Sequence, residues 1–172
     1  MSKIKIFLML SGYQLTWLMC VFGELWYSSF IPGLVCGLLF LAICYVKSDN
    51  IKKTIQIVFI ISLLGYLFDT SLVFFEIYNF QTSSYIGVLP IWMLVLWPSF
   101  AILFDEILIF LSKYKIFAVL LSGILGPLTY FAGSPLGLIN INNLFLFFIL
   151  MTVFWAILMI FYLSYIIKLK FD

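Results

Sequence analysis

Asp69 is the residue of this sequence whose chemistry is most informative, because it is an ionisable side chain inside a long apolar segment. An Asp at the centre of a membrane-spanning helix opposes insertion by about 2.5–3.5 kcal/mol. Ser62, Gly65 and Glu76 lie at helical spacing from Asp69 and therefore share its helix face. We expect this face to point into a helical bundle, where a carboxyl group can do acid–base work, hold a divalent ion or hydrogen-bond a neighbouring helix.

Two further polar stripes accompany this face. Gln14 and Glu24 share one face of the first apolar segment. Thr129 lies on a narrow polar face of the fifth segment, with Tyr130 beside it. Packing the stripes together would form a polar pocket that opens toward the outer side of a membrane. The candidate pocket contains Gln14, Glu24, Asp69, Glu76, Thr129 and Tyr130.

A structural interpretation of the same residues stays open. Asp69 can hydrogen-bond Tyr130 or Thr129 and fix the helix register without any chemistry. Glu24 and Glu76 are then ordinary carboxylates in water at the membrane interface.

Asp105 and Glu106 form a second candidate site, on the inner side of the fourth apolar segment. Adjacent residues of a helix point about 100° apart, so these two carboxylates cannot face one partner. Pro98 lies two turns before them and is predicted to kink the helix. A kink beside buried carboxylates fits a gated transporter, and it also fits simple packing geometry.

Several classes of chemistry lack their usual residues. The sequence has no His and no catalytic or phosphate-binding motif. Its three cysteines, Cys20, Cys36 and Cys44, lie singly in apolar runs and are predicted to be core or lipid-facing residues. We therefore predict no catalytic residue, no metal and no cofactor, and we lean against an enzyme. A net charge of only +2 predicts no nucleic-acid partner.

The composition requires a membrane to position these residues. The chain of 172 residues is 66% hydrophobic and 9% charged, whereas soluble domains carry roughly 25% charged residues. Crossing about 30 Å of hydrocarbon takes about 20 apolar residues. We predict an all-α bundle of six transmembrane helices that forms a single domain over residues 1–172. The predicted helices cover residues 5–27, 31–46, 54–76, 88–111, 116–132 and 143–167.

The lysines predict the orientation of this bundle. All nine fall at the two termini or near residues 47–53 and 112–115, which six spans place on one side. By the positive-inside rule, that side is the cytoplasm, so both termini are cytoplasmic. The first apolar run is too long for a signal peptide and has no cleavage site. We predict a multi-pass protein with no cleaved signal peptide, whose main partner is the lipid bilayer.

Small residues predict where helices pack. Gly33 and Gly37 form a small-xxx-small pair in the second helix, and Ala118, Ser122 and Gly126 continue the pattern in the fifth. The same ridges fit a homodimer or a contact with another membrane protein. Residues 63–67 of the third helix resemble residues 124–128 of the fifth, but the match is too short and too apolar to predict an internal repeat.

Three sequence segments carry a family resemblance. They are Tyr13-Gln14-x-x-Trp17, the segment from Pro90 to Ala101 with its two Trp residues, and the segment from Gly126 to Gly137 that begins Gly-Pro-Leu. With Gly65-x-x-x-Asp69 between them, the chain resembles the uncharacterised bacterial membrane family known as domain of unknown function 2878.

The resemblance implies a small bacterial cytoplasmic (inner) membrane protein with no assigned activity. It also implies gene neighbourhoods that include enzymes of membrane fatty-acid modification, and hence a role in envelope lipids. Asp105 and Glu106 depart from the family pattern, where uncharged polar residues are expected.

Three hypotheses about function follow. The first is a non-enzymatic membrane module or accessory subunit of an envelope or lipid system. The second is a small proton-linked transporter that uses Asp69 and Asp105. The third is an intramembrane lipid-modifying enzyme that uses Asp69, Gln14 and Tyr130. The bound, transported or modified molecule is a small molecule or lipid that the sequence does not identify.

Overall fold

The computed structural model describes residues 3–106 and 112–166 of the chain. This part contains six α-helices, four short strands and a terminal π-helical turn. The helices are α1 (Lys3–Tyr27), α2 (Ile31–Val46), α3 (Ile51–Phe74), α4 (Met93–Glu106), α5 (Lys115–Phe131) and α6 (Leu144–Phe161), and the π-helical turn covers Tyr162–Ile166. The strands are β1 (Tyr78–Phe80), β2 (Tyr85–Ile86), β3 (Leu89–Pro90) and β4 (Ile139–Ile141).

Within residues 3–106 and 112–166, four helical segments are long and apolar enough to cross a bilayer. They are Ile4–Tyr27, Ile51–Phe74, Ser112–Phe131 and Leu144–Tyr165. The apolar helices Ile31–Val46 and Met93–Phe104 are shorter. These lengths and compositions indicate a multi-pass membrane protein. The prediction of an all-α protein fits the helices, although the sequence did not predict the strands.

The third helix begins and ends earlier than predicted. Its start moves from residue 54 to Ile51 because the Asn50 side chain accepts a hydrogen bond from the Lys53 amide at 3.2 Å and caps the first turn. Its end moves from residue 76 to Phe74. Glu76 has a left-handed φ of 54°, and the Ile77 amide donates to the Leu72 carbonyl at 3.0 Å, as in a Schellman motif.

The fourth helix was predicted to begin too early. Its predicted start at residue 88 is wrong, because residues 89 and 90 form β3 and pair with β2. The helix instead begins at Met93, and the predicted end at residue 111 lies outside the described residues. For the sixth helix, the Asn143 side chain accepts a hydrogen bond from the Leu146 amide at 3.0 Å and caps the start. The predicted end of that helix at residue 167 also lies outside the described part.

The chain divides into two compact units. The first is Met1–Leu67 with Thr82–Ile107, and the second is Phe68–Gln81 with Leu108–Asp172. Within the first unit, α1, α2 and α4 approach closely at glycines. A methyl group added to Gly33 would lie 2.6 Å from the Cys20 sulfur of α1, and one added to Gly37 would lie 2.6 Å from Val95 of α4. These are the close approaches that the small-residue spacing predicts.

The second unit is built on the packing of α5 against α6. Gly126 of α5 lies directly under the indole ring of Trp155 of α6. Ser122 donates hydrogen bonds to the carbonyls of Val119 at 2.9 Å and of Trp155 at 3.1 Å. Ala118 of the same ridge is buried. The small residues of α5 therefore face α6 within this unit.

Candidate functional site

Asp69 lies at the centre of a buried polar cluster in the second unit. Its side chain is 0% exposed. The Tyr78 hydroxyl donates to Oδ1 at 2.8 Å, and the Tyr130 hydroxyl donates to Oδ2 at 2.8 Å. Both carboxyl oxygens therefore accept a hydrogen bond from a phenol, which offsets part of the loss of water around a buried polar group.

Tyr78 reaches Asp69 because the chain reverses at the end of α3. The left-handed turn at Glu76 sends the backbone into β1, nine residues after Asp69. β1 then pairs antiparallel with β4, with Tyr78 opposite Ile141. Asn142, just after β4, donates from Nδ2 to the Glu76 carbonyl at 2.8 Å. The turn and the strand pair together fix the position of the Tyr78 hydroxyl.

Aromatic rings surround the Tyr78 side chain, which is itself fully buried. The rings of Phe80, Tyr130 and Phe147 lie at centroid distances of 5.3, 6.1 and 5.9 Å from it, in edge-to-face arrangements. Burial raises the pKa of the Tyr78 phenol well above its ordinary value, and the neighbouring Asp69 raises it further. Tyr78 is therefore neutral at physiological pH and acts as a hydrogen-bond donor.

Tyr130 was one of the two hydrogen-bond partners that the sequence predicted for Asp69. Thr129, the other expected partner, instead donates to the Gly126 carbonyl of its own helix at 2.7 Å and is exposed. Glu76 is also exposed, in the left-handed turn that follows α3. The second unit thus combines Asp69 with Tyr130 and adds Tyr78.

Glu24 lies in a polar site of the first unit. Its side chain is 7% exposed. The Ser83 amide donates to Oε2 at 2.9 Å, and the Ser83 hydroxyl donates to Oε1 at 3.3 Å. Glu24 therefore anchors the segment before β2. The interfacial interpretation would instead have placed its carboxylate in water. Gln14 belongs to the same unit and is exposed on α1.

The contacts of the two candidate inner-side carboxylates are not described by the structure. The backbone of α4 remains helical through Asp105 and Glu106, and their side chains lie outside the described part of the structure. Among the residues that the structure describes, no three His, Cys, Asp or Glu side chains come together as a metal site.

Tyr78 and Ser83 are the hydrogen-bond partners that sequence reasoning missed. Tyr78 follows the end of an apolar segment, a position at which the sequence pattern is typical of an interfacial anchor. Its contact with Asp69 depends on a chain reversal at a non-glycine residue, which has no strong sequence signal. Ser83 lies 59 positions from Glu24 along the chain, so that contact was invisible to local patterns.

Comparison with known proteins completes the description of the chain. No curated protein and no solved structure matches it. The family described as "Protein of unknown function (DUF2878)" matches residues 6–161, which confirms the resemblance found in the sequence. The chain therefore belongs to the DUF2878 family.

Proposed function

We propose that this protein is a non-enzymatic membrane module, or an accessory subunit of an envelope or lipid system, in the bacterial cytoplasmic membrane. It crosses the membrane six times as a single domain, with both termini in the cytoplasm, and works alone, as a homodimer or beside another membrane protein. The Asp69 cluster supplies structural stability, not chemistry.

This proposal rests on the observation that both carboxyl oxygens of Asp69 already accept hydrogen bonds from the protein. A carboxylate that binds a substrate or relays protons needs an oxygen available to a ligand or to water. The Asp69 side chain is 0% exposed, and each of its oxygens accepts a phenol hydroxyl at 2.8 Å. A buried network with this geometry fixes neighbouring elements in one arrangement. Within the second unit, Asp69 thereby joins the last residues of α3 to β1 and α5.

The lysines support the proposed orientation. Lys47, Lys52 and Lys53 flank the junction between α2 and α3, and Lys113 and Lys115 flank the start of α5. Both groups adjoin helix ends that six spans place in the cytoplasm. α2 has 16 residues, so at 1.5 Å per residue it is shorter than about 30 Å of hydrocarbon. It crosses where the bilayer thins locally or where flanking residues extend to the interface.

A proton-linked transporter is the second candidate. The observation that favours it is the contact of a membrane-embedded carboxylate with two ionisable hydroxyls, Tyr78 and Tyr130. Ionisable groups at such depth often mark proton or substrate paths. A path through this site needs Tyr130, which is only partly buried, to leave Asp69 during the transport cycle.

Comparative lipid analysis of a deletion strain tests the proposal. The strain is complemented with wild type, with Asp69→Asn and with the matched control Glu76→Gln, which changes an exposed carboxylate. Membrane levels of each variant are measured by immunoblotting. We expect Asp69→Asn to lower the level or the assembly of the protein, and any lipid change to follow that level. Glu76→Gln should behave as wild type.

Two results would contradict the structural role. An Asp69→Asn protein at wild-type level that fails to restore the lipid profile would indicate a lipid-modifying enzyme. An Asp69→Asn protein that reconstitutes normally and loses proton-coupled flux in vesicles would indicate a transporter. A reporter fused to either terminus and found in the periplasm would reject the proposed orientation.

A further inference from the structure

The β-hairpin formed by β2 and β3 belongs to the first unit and lies directly before α4. Ile86 pairs with Leu89, so Gly87 and Val88 form a two-residue turn. Gly87 has a φ of 62°, the conformation that a type II′ turn requires at its first central position. A methyl group added to Gly87 would meet nothing within 4 Å, so the tip of the hairpin projects into open space.

The two strands of this hairpin differ in burial. Leu89 of β3 is only 7% exposed, whereas its partner Ile86 is 53% exposed. Tyr85 and Val88 are 46% and 40% exposed. β3 therefore packs on the protein, and β2 forms an outer edge with apolar side chains. An exposed apolar edge strand in water favours aggregation, and proteins usually protect such edges with charges.

The hairpin and the chain on both sides of it carry no charged residue. No residue from 77 to 104 is charged. β3 ends at Pro90 and α4 begins at Met93, so roughly 10 Å of chain at most separates the hairpin from an apolar helix. At the end of α1 in the same unit, Trp26 and Tyr27 are 69% and 72% exposed. Such aromatic rings are enriched at the membrane interface.

The base of the hairpin is held on both sides. Before β2, Ser83 donates two hydrogen bonds to Glu24 of α1. After β3, the Ile91 amide donates to the Ser84 carbonyl at 3.2 Å. The hairpin is therefore fixed in orientation while its edge stays uncovered by its own unit.

We propose that this hairpin inserts its apolar edge into the headgroup and upper acyl region of the outer leaflet, with lipid as its partner. The uncharged surface and the proximity to α4 favour lipid over water. A two-residue edge is far smaller than the roughly 800 Å² per partner that a stable protein interface buries, which disfavours a second copy. The choice of the outer leaflet rests on the orientation proposed above. Insertion of the hairpin into lipid does not depend on that orientation.

Environment-sensitive fluorescence tests the insertion. Ile86→Cys and, independently, Val88→Cys are labelled with a nitrobenzoxadiazole dye in vesicles of phosphatidylethanolamine and phosphatidylglycerol. Unsubstituted protein treated in parallel corrects for labelling of the native cysteines. Asn140→Cys, at an exposed polar position of β4, is the matched control. We expect blue-shifted emission at the hairpin positions, quenching by a doxyl group near the top of a lipid chain, and little quenching by aqueous iodide.

The control should show the opposite preference, with quenching by iodide. Iodide quenching at both hairpin positions would overturn the proposal, because the edge would then be in water. Protection from both quenchers would also overturn it, because a protein would then cover the edge. Lipid-bound quenchers report insertion from either leaflet, so a wrong orientation and a failed insertion give different results.

Discussion

Among the side chains that the structure describes, each of the two units has one buried carboxylate, and the two are used differently. Asp69 in the second unit is 0% exposed and accepts hydrogen bonds from two phenols. Glu24 in the first unit is 7% exposed and accepts the backbone amide and the hydroxyl of a single residue, Ser83. Asp69 therefore links several elements to one another, whereas Glu24 anchors one loop.

The apolar packing of the two units is much more alike. Gly65 of α3 lies under the indole ring of Trp97, and Gly126 of α5 lies under that of Trp155. Each glycine stands within the weakly similar segments of residues 63–67 and 124–128. The comparison shows that related glycine–tryptophan contacts can accompany quite different polar sites. The polar contacts of the two units differ, whereas these two glycine–tryptophan contacts are alike.

The largest effect is expected from Asp69→Ala, which leaves the Tyr78 and Tyr130 hydroxyls without their acceptor. We expect the free energy of unfolding to fall by about 3–5 kcal/mol, as for other broken buried networks. Thermal unfolding in detergent measures the effect, with the exposed Glu76→Ala as control. A change equal to that of the control would show that the cluster adds no stability.

Tyr78→Phe should have the next largest effect, about 1–3 kcal/mol, because it leaves one oxygen of the buried Asp69 carboxyl group without its donor. Tyr130→Phe, at a partly buried position, should have a smaller effect. The folded state keeps the Tyr78 proton, while the unfolded chain loses it near pH 10. Wild-type stability should therefore fall as the pH rises above about 10, and less steeply in Tyr78→Phe. Identical slopes in chemical unfolding at alkaline pH would contradict this account.

Gly65→Ala and Gly126→Ala test whether the two glycine–tryptophan contacts are equivalent. Each added methyl group collides with an indole ring, so we expect each variant to lose about 1–3 kcal/mol. Gly123→Ala in α5 is the control, since its methyl group would lie 3.4 Å from Thr152. A loss confined to one of the two contacts, measured by chemical unfolding, would show that the resemblance between the units does not extend to energetics.

Glu24→Gln should have the smallest effect, about 1 kcal/mol, because the amide oxygen still accepts one of the two Ser83 hydrogen bonds. The change should be local, so proteolysis in the loop of residues 81–84 should rise while global unfolding shifts little. A loss as large as that of Asp69→Ala would remove the distinction between the two carboxylates.

Much of the helical framework was predictable from the chain alone. The predicted bounds of α2 agree with the structure, because Pro32 and Lys47 stand at its two ends. The bounds of α4 were not predictable, because the apolar residues of β3 continue without a break into the helix. Hydrophobicity identifies a buried segment, but it does not distinguish a two-residue strand from a first helical turn.

The sequence determined that this is a membrane protein and that its unusual carboxylate lies within a long apolar helix. Both follow from composition and from the 1.5 Å rise of a helix, which are properties of the chain itself. Only the tertiary structure decided which partners satisfy that carboxylate. The Tyr78 contact needs a left-handed turn at Glu76, and the Ser83 contact of Glu24 spans 59 residues. Side-chain spacing describes neighbours along one helix, whereas hydrogen-bond partners are selected by how the helices and strands come together in space.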